Sequence, residues 1–139
     1  VLMSSPIVHA ETYSLVKQWG STGNSTGQFN NPSAVTVDSY GNVYVADANN
    51  YRIQKFDNNG AFINSFETWY KSQFHIHPRG VAVDSSGYIY TSCCGGNGGI
   101  AGAAYGIRYG TVYHKYDNNG NRQNDHNIPY FNIFTFISF

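Results

Sequence analysis

From residue 34 to residue 66 apolar and polar positions alternate with a period of two, and Gly, Asn and Asp interrupt the alternation every six or so residues. A period of two places successive side chains on opposite faces, so the pattern predicts short strands joined by tight turns. The first strand, 34–38, carries Val35 and Val37 on one face, and the turn Ser39-Tyr40-Gly41-Asn42 reverses the chain. A second strand, 42–47, aligns Val43 with Val45, and Ala48-Asn49-Asn50 turns again. In the third, 51–57, Ile53 stands opposite Arg52, Gln54 and Phe56; Asn58-Asn59-Gly60 then offers the residues that tolerate positive φ in a hairpin loop. The fourth, 61–66, carries Phe62 and Phe66. No window keeps three-and-four apolar spacing beyond about two turns, so almost no helix is predicted.

The same pattern recurs. Pro32 to Val45 reads PSAVTVDSYGNVYV and Pro78 to Thr91 reads PRGVAVDSSGYIYT, with seven of fourteen positions identical at a separation of 46 residues. KFDNNG at Lys55 to Gly60 returns as KYDNNG at Lys115 to Gly120, now 60 residues on. The 14 extra residues coincide with a Gly-rich stretch, 93–110, which reads as an insertion. A period of about 40 to 50 residues with four short strands is the mark of a propeller blade. The expected fold is therefore all-β: consecutive four-stranded antiparallel blades of an incomplete β-propeller ring. Residues 13–31 are assigned to the last strand of a preceding blade and a linker, with Trp19 lying 47 residues before Phe66. Residues 32–77 form a full blade and 78–127 a second, interrupted one; 128–139 is an unassigned apolar tail. Four blades of 46 residues need about 180, so the ring requires more sequence than this.

The run GQFNNPSAVTVDSYGNVYVADANNYRIQKFDNNGAFINSF, Gly27 to Phe66, resembles an NHL repeat nearly end to end. It has the Gly-x-Phe before Pro, the Val-x-Val-Asp, the Gly-Asn-Val-Tyr-Val-Ala-Asp and the Asn-x-Arg-Ile-Gln. The second copy keeps the first half of this pattern, but Thr91-Ser92-Cys93 stands where Val45-Ala46-Asp47 stood, and no Arg-Ile-Gln follows. The resemblance implies a propeller used as a binding platform in a larger extracellular or signalling protein, contacting protein or glycan partners through blade loops. It does not imply one activity, because the same blade builds lyases, lactonase-like enzymes, sensors and adhesins; a metal-dependent lyase or lactonase-like enzyme and a structural cell-envelope repeat are the alternative readings.

Charge narrows the partners. Eight Lys+Arg balance eight Asp+Glu, which leaves no basic field for nucleic acid or anionic lipid. No run reaches the roughly 18 apolar residues of a bilayer span. Residues 1–12, VLMSSPIVHAET, end an apolar stretch in the small-x-small Val8-His9-Ala10 that a signal peptidase accepts, so a truncated leader and an extracellular or cell-surface location are expected. The remaining partners are further blades of a longer chain or self-association, since an uncovered blade exposes apolar faces.

Candidate chemistry is sparse. Asp47 and Arg52 flank one turn, close enough for a charge-assisted hydrogen bond, and Asp38 and Asp84 end first strands where a carboxylate caps turn amides. These four are read as structural. Asp57 and Asp117 head Asp-Asn-Asn-Gly turns that lack the bidentate Glu of a calcium loop. His75 and His77, two apart, point one way in extended chain as zinc ligands would, so a divalent metal is the one cofactor considered, with His114, His126, Cys93 and Cys94 as possible companions. Adjacent Cys93 and Cys94 are poorly placed for a mutual disulfide. Tyr105, Arg108 and Tyr109 on the Gly-rich insertion are candidate partner contacts. No catalytic residue is identified, there being no Gly-x-Ser-x-Gly and no acid/base pair. The repeat also predicts a buried core of Val35, Val37, Val43, Val45, Ile53, Val81, Val83 and Ile89.

Overall fold

The computed structural model describes residues 14–70, 74–94 and 111–123. The candidate leader, the insertion residues Tyr105, Arg108 and Tyr109, His126 and the apolar tail lie outside them. One four-stranded sheet runs β3 (Pro32–Val37), β4 (Val43–Asp47), β5 (Arg52–Phe56) and β6 (Phe62–Glu67) in sequential order, every pair antiparallel. A second sheet pairs β9 (Pro78–Val83) with β10 (Ile89–Cys94) and β10 with β11 (Thr111–Tyr116), again antiparallel. Its outer edge is marked by a bridge from Tyr116 to Arg122, the counterpart of the Phe56–Phe62 pairing in the first sheet. Connectors precede both sheets. A parallel pair, β1 (Ser21–Thr22) with β2 (Gln28–Phe29), leads into the first, and an antiparallel pair, β7 (Trp69–Tyr70) with β8 (Phe74–His75), leads into the second. The one helical element among the described residues is a 3-10 turn, Ala48–Asn50. The two sheets are successive blades of a β-propeller, stacked face to face.

Register shows which faces meet. Opposed residues share a face, so Val35, Val45 and Gln54 line one side of the first blade, and Ala34, Ala46, Ile53 and Phe66 line the other. The second side is the one that meets the second blade. Tyr44, Ala46, Ile53, Ile89 and Tyr116 form a buried cluster flanked by Ala34, Phe66, Val81 and Val83. Phe66 stacks on Tyr116 with ring centroids 4.8 Å apart. Each large side chain enclosed in this way contributes roughly 1.5–3 kcal/mol. Two polar struts cross the same seam, Ser33 Oγ donating to the Pro78 carbonyl (2.7 Å) and Lys55 Nζ to Asn118 Oδ1 (2.6 Å).

The valines correct the expected core. Ile53 and Ile89 are fully buried, but Val35 and Val37 are 64% and 58% exposed, and Val43, Val45, Val81 and Val83 are half-buried. The alternation located the strands and then assigned the wrong face. In blade one the covered side carries Tyr44 and Ala46, while Val35 and Val37 point away from blade two. Their equivalents in blade two, Val81 and Val83, do face a neighbour, which is blade one.

Residues 14–20 contain no strand, although Trp19 holds a place a blade would fill. Its ring lies 6.3 Å from that of Phe56, and a Cβ on Gly60 would meet it at 2.9 Å. Phe66 stands in the same relation to Tyr116 and Gly120, where a Cβ would approach to 2.7 Å. Trp19 therefore does for blade one what the outer strand of blade one does for blade two.

Candidate functional site

Each sheet has two ends. The β3–β4 and β5–β6 hairpins turn at one end, and so do their counterparts in blade two; the connectors and the β4–β5 loop lie at the other.

The turn end is built from one device used four times. Asp38, Asp57, Asp84 and Asp117 each begin an Asp-x-x-Gly turn whose glycine, Gly41, Gly60, Gly87 or Gly120, has φ between +80° and +84° and donates its N–H to the Asp carbonyl at 2.9–3.0 Å. A left-handed glycine closing a type I turn is the hairpin geometry that matches strand twist. The carboxylate completes it. Asp38 Oδ1 accepts the N–H groups of Tyr40 and Asn42 (both 2.9 Å), and Oδ2 accepts Asn42 Nδ2 (2.8 Å) and the Tyr44 hydroxyl (3.1 Å). Asp84 accepts the N–H groups of Ser86 and Tyr88 and the Tyr90 hydroxyl, and Asp57 and Asp117 repeat the backbone pattern. Burial pushes Asp38 upward, but the donors from Asn42, Tyr44 and Tyr40 outweigh it and hold the carboxyl below its usual range. Asp117 is held low chiefly by the Asn121 side chain and N–H. Tyr44 moves the other way, because burial and then its bond to Asp38 both resist a phenolate.

A polar cleft of about 230 Å³ opens between these turns, lined by residues of both blades. Lys55 borders it, with its side chain running past the Tyr44 ring, 5.1 Å from Nζ to the centroid.

At the connector end Asp47, completely buried, is a hub. Its Oδ2 accepts Arg52 Nε (2.8 Å), Asn50 Nδ2 (2.8 Å) and Gln54 Nε2 (3.2 Å), and its Oδ1 accepts the Asn30 N–H (2.7 Å). Arg52 continues outward to the carbonyls of Ser25 and Gln28, and Gln54 clasps Gly27 N–H and the Gln28 carbonyl. The two residues proposed as a turn pair thus tie the whole 23–30 connector to the blade. Asn50, Gln54 and Asn30 were not singled out from the sequence, although the Asn-x-Arg-Ile-Gln run contains two of them.

The second connector is held differently. Tyr51, itself left-handed at φ 54°, packs its ring 5.4 Å from His75 and 4.5 Å from His77, and Trp69 lies 3.7 Å from His75. Both histidines do turn toward one side. His77 Nδ1 is however within hydrogen-bond distance of the Ala48 carbonyl (3.0 Å), and among the described residues no three His, Cys, Asp or Glu side chains converge as metal ligands. Cys93 and His114 are buried inside blade two.

The fold and these turns define the class of protein: a repeat scaffold of propeller blades. The blade type can also be given, since residues 29–56 match the NHL repeat family model, and the chain carries an NHL repeat. It is similar to the B-box type zinc finger protein ncl-1 of Caenorhabditis elegans, 49% identical over 45 residues, which are 32% of this chain and 5% of that protein. The protein brain tumor of Drosophila melanogaster is 40% identical over 67 residues, 48% of this chain and 6% of the relative. NHL repeat-containing protein 3 of Homo sapiens is 41% identical over 66 residues, 44% of this chain and 19% of the relative. The chain thus spans a fifth or less of the length of these relatives. No helix of the described residues is long and apolar enough to cross a membrane.

Proposed function

We propose that this chain is a non-catalytic binding scaffold of a secreted or cell-surface protein, which meets a protein or glycan partner through loops at its blade ends. The observation that carries the reading is how the polar groups are used. The turn carboxylates and the Asp47 hub spend their hydrogen bonds holding loops in place, so the loops are rigid, while the side chains beside them face outward. Tyr40 at the turn end is 85% exposed, and His75 and His77 are exposed at the connector end. Rigid loops with exposed aromatic side chains suit recognition, because little conformational entropy is lost when they bind. The exported location rests on Val8-His9-Ala10 alone.

The test uses the full chain against panels of immobilised extracellular proteins and glycans, compared with Tyr40→Ala at one end and Trp69→Ala at the other. Binding that falls at least tenfold in one variant, with an unchanged thermal melt, is the expected result. Binding that is the same in all three proteins overturns the assignment to the loops.

A further inference from the structure

We propose that the cleft between the hairpin turns of adjoining blades binds one neutral, hydroxyl-rich sugar unit, with Lys55 as the donor at its floor. This rests on the binding-scaffold reading and assigns one of its loop ends to glycan. The first observation is Lys55 itself. The residue is only 6% exposed, yet among the described residues its ammonium makes a single hydrogen bond, to Asn118 Oδ1, and no ion pair. An ammonium has three donors, so two remain for a ligand in the cleft that Lys55 lines. An almost buried charge with unused donors is costly unless something supplies acceptors.

The rest of the lining indicates which ligand. Asp38, Asp84 and Lys55 together leave the cleft with one more carboxylate than ammonium, which disfavours a carboxylate, sulfate or phosphate. Around them stand the hydroxyls of Ser39, Ser85 and Ser86, which make no hydrogen bond among the described residues, and the amides of Asn42 and Asn118. Hydroxyls and amides both donate and accept, as the hydroxyls of a sugar do. Tyr40 at the rim adds an exposed ring against which the C–H face of a pyranose can lie. At about 230 Å³ the space is below the range of drug-sized pockets and suits a single ring.

A second, independent observation is that the arrangement repeats. In blade one Lys55 runs over Tyr44, whose hydroxyl bonds Asp38; in blade two Lys115 Nζ lies 3.8 Å from the Tyr88 ring centroid and 5.4 Å from that of Tyr90, whose hydroxyl bonds Asp84 at 3.0 Å. The two described blades thus each carry one lysine packed on a tyrosine whose hydroxyl bonds the turn Asp.

The experiment is a titration of the full chain with neutral mono- and oligosaccharides, with uronic-acid and sulfated glycans, and with inorganic sulfate, in wild type, Lys55→Met and Tyr40→Ala. Methionine keeps the buried stem and removes the donors. The expected result is saturable binding of at least one neutral sugar, weakened tenfold or more by Lys55→Met and several-fold by Tyr40→Ala, and not competed by sulfate. The proposal is overturned if no neutral sugar binds, if only acidic glycans bind, or if both variants bind as wild type does. Should Lys55→Met fail to fold, Tyr40→Ala decides, because its side chain is exposed. If sugars fail while an immobilised protein partner is still bound, only the sugar assignment falls; if neither binds, the scaffold reading falls with it.

Discussion

At the connector end of blade one, Asp47 accepts four hydrogen bonds from Arg52, Asn50, Gln54 and Asn30 in full burial. The equivalent position in blade two is Cys93, with Val112 in place of Arg52 and His114 in place of Gln54. The connector that follows blade one packs the rings of Tyr51, Trp69, His75 and His77 together and bonds Thr68 to Ile76 through Oγ1 and backbone. The backbone of the blade survives the exchange: β9, β10 and β11 pair as β3, β4 and β5 do. The strands therefore do not depend on the charged hub, which instead fixes the loop that enters the blade. This difference predicts the largest mutational contrast in the molecule. Asp47→Ala leaves the Arg52 guanidinium half-buried without its counter-charge and should cost about 3–5 kcal/mol. Cys93→Ala removes one buried sulfur and should cost about 1 kcal/mol. Urea denaturation of the full chain measures both, and equal losses would show that the hub is not what distinguishes the blades.

A second contrast separates two glycines with the same backbone. Gly87 and Gly120 have φ of 82° and 84°, so alanine is strained at either by about 1–2 kcal/mol. A Cβ on Gly87 meets nothing within 4 Å, whereas one on Gly120 meets the Phe66 side chain at 2.7 Å. Overpacking adds about 1–3 kcal/mol, so Gly120→Ala should be the worse change by that margin. If thermal melts of the two variants coincide, the seam between the blades is looser than the Phe66–Tyr116 stack implies.

Equivalent valines of the two blades, Val83 facing blade one and Val37 facing away from blade two, supply a smaller contrast. Val83→Thr places a hydroxyl beside the interblade cluster and should cost about 1–2 kcal/mol. Val37→Thr, on the uncovered side, should fall within about 0.5 kcal/mol of wild type. A comparable loss at Val37 would mean that this side is covered in solution, and sedimentation of the same samples would show whether a second copy covers it.

Much of this was legible in the residues because the repeat encodes it locally. The Asp-x-x-Gly turns need a left-handed glycine and a short acceptor side chain, and both are visible at Asp38, Asp57, Asp84 and Asp117 without any tertiary knowledge. Strand positions followed from alternation for the same reason. Faces did not, because period two says that Val35 and Tyr44 lie on opposite sides without saying which side a neighbour covers. Tyr44, with its hydroxyl, was passed over in favour of valine, and its partner Asp38 shows how a phenol can be buried. The cleft escaped too, since Lys55 and Asn118 are 63 residues apart and meet only when two blades stack. Yet Lys55 and Lys115 were already visible as the first residues of the repeated KFDNNG and KYDNNG.

The smallest expected effect is a response to acid at the turn end. Asp38 and Asp117 have folded-state values below the unfolded carboxylate value of about 3.9. A group depressed in this way binds fewer protons folded than unfolded, so its contribution is complete above the unfolded value and disappears as pH falls through the folded one. Stability measured by urea at successive pH values should thus hold near neutrality and decline below about pH 4. Asn in place of Asp38 keeps an acceptor for the Tyr40 and Asn42 amides but cannot titrate, so Asp38→Asn should flatten the decline while lowering the neutral-pH plateau slightly. The connector end is the control, because Arg52→Lys alters the hub without touching a turn carboxylate. A decline that keeps its slope in Asp38→Asn would place the acid-sensitive group elsewhere in the chain.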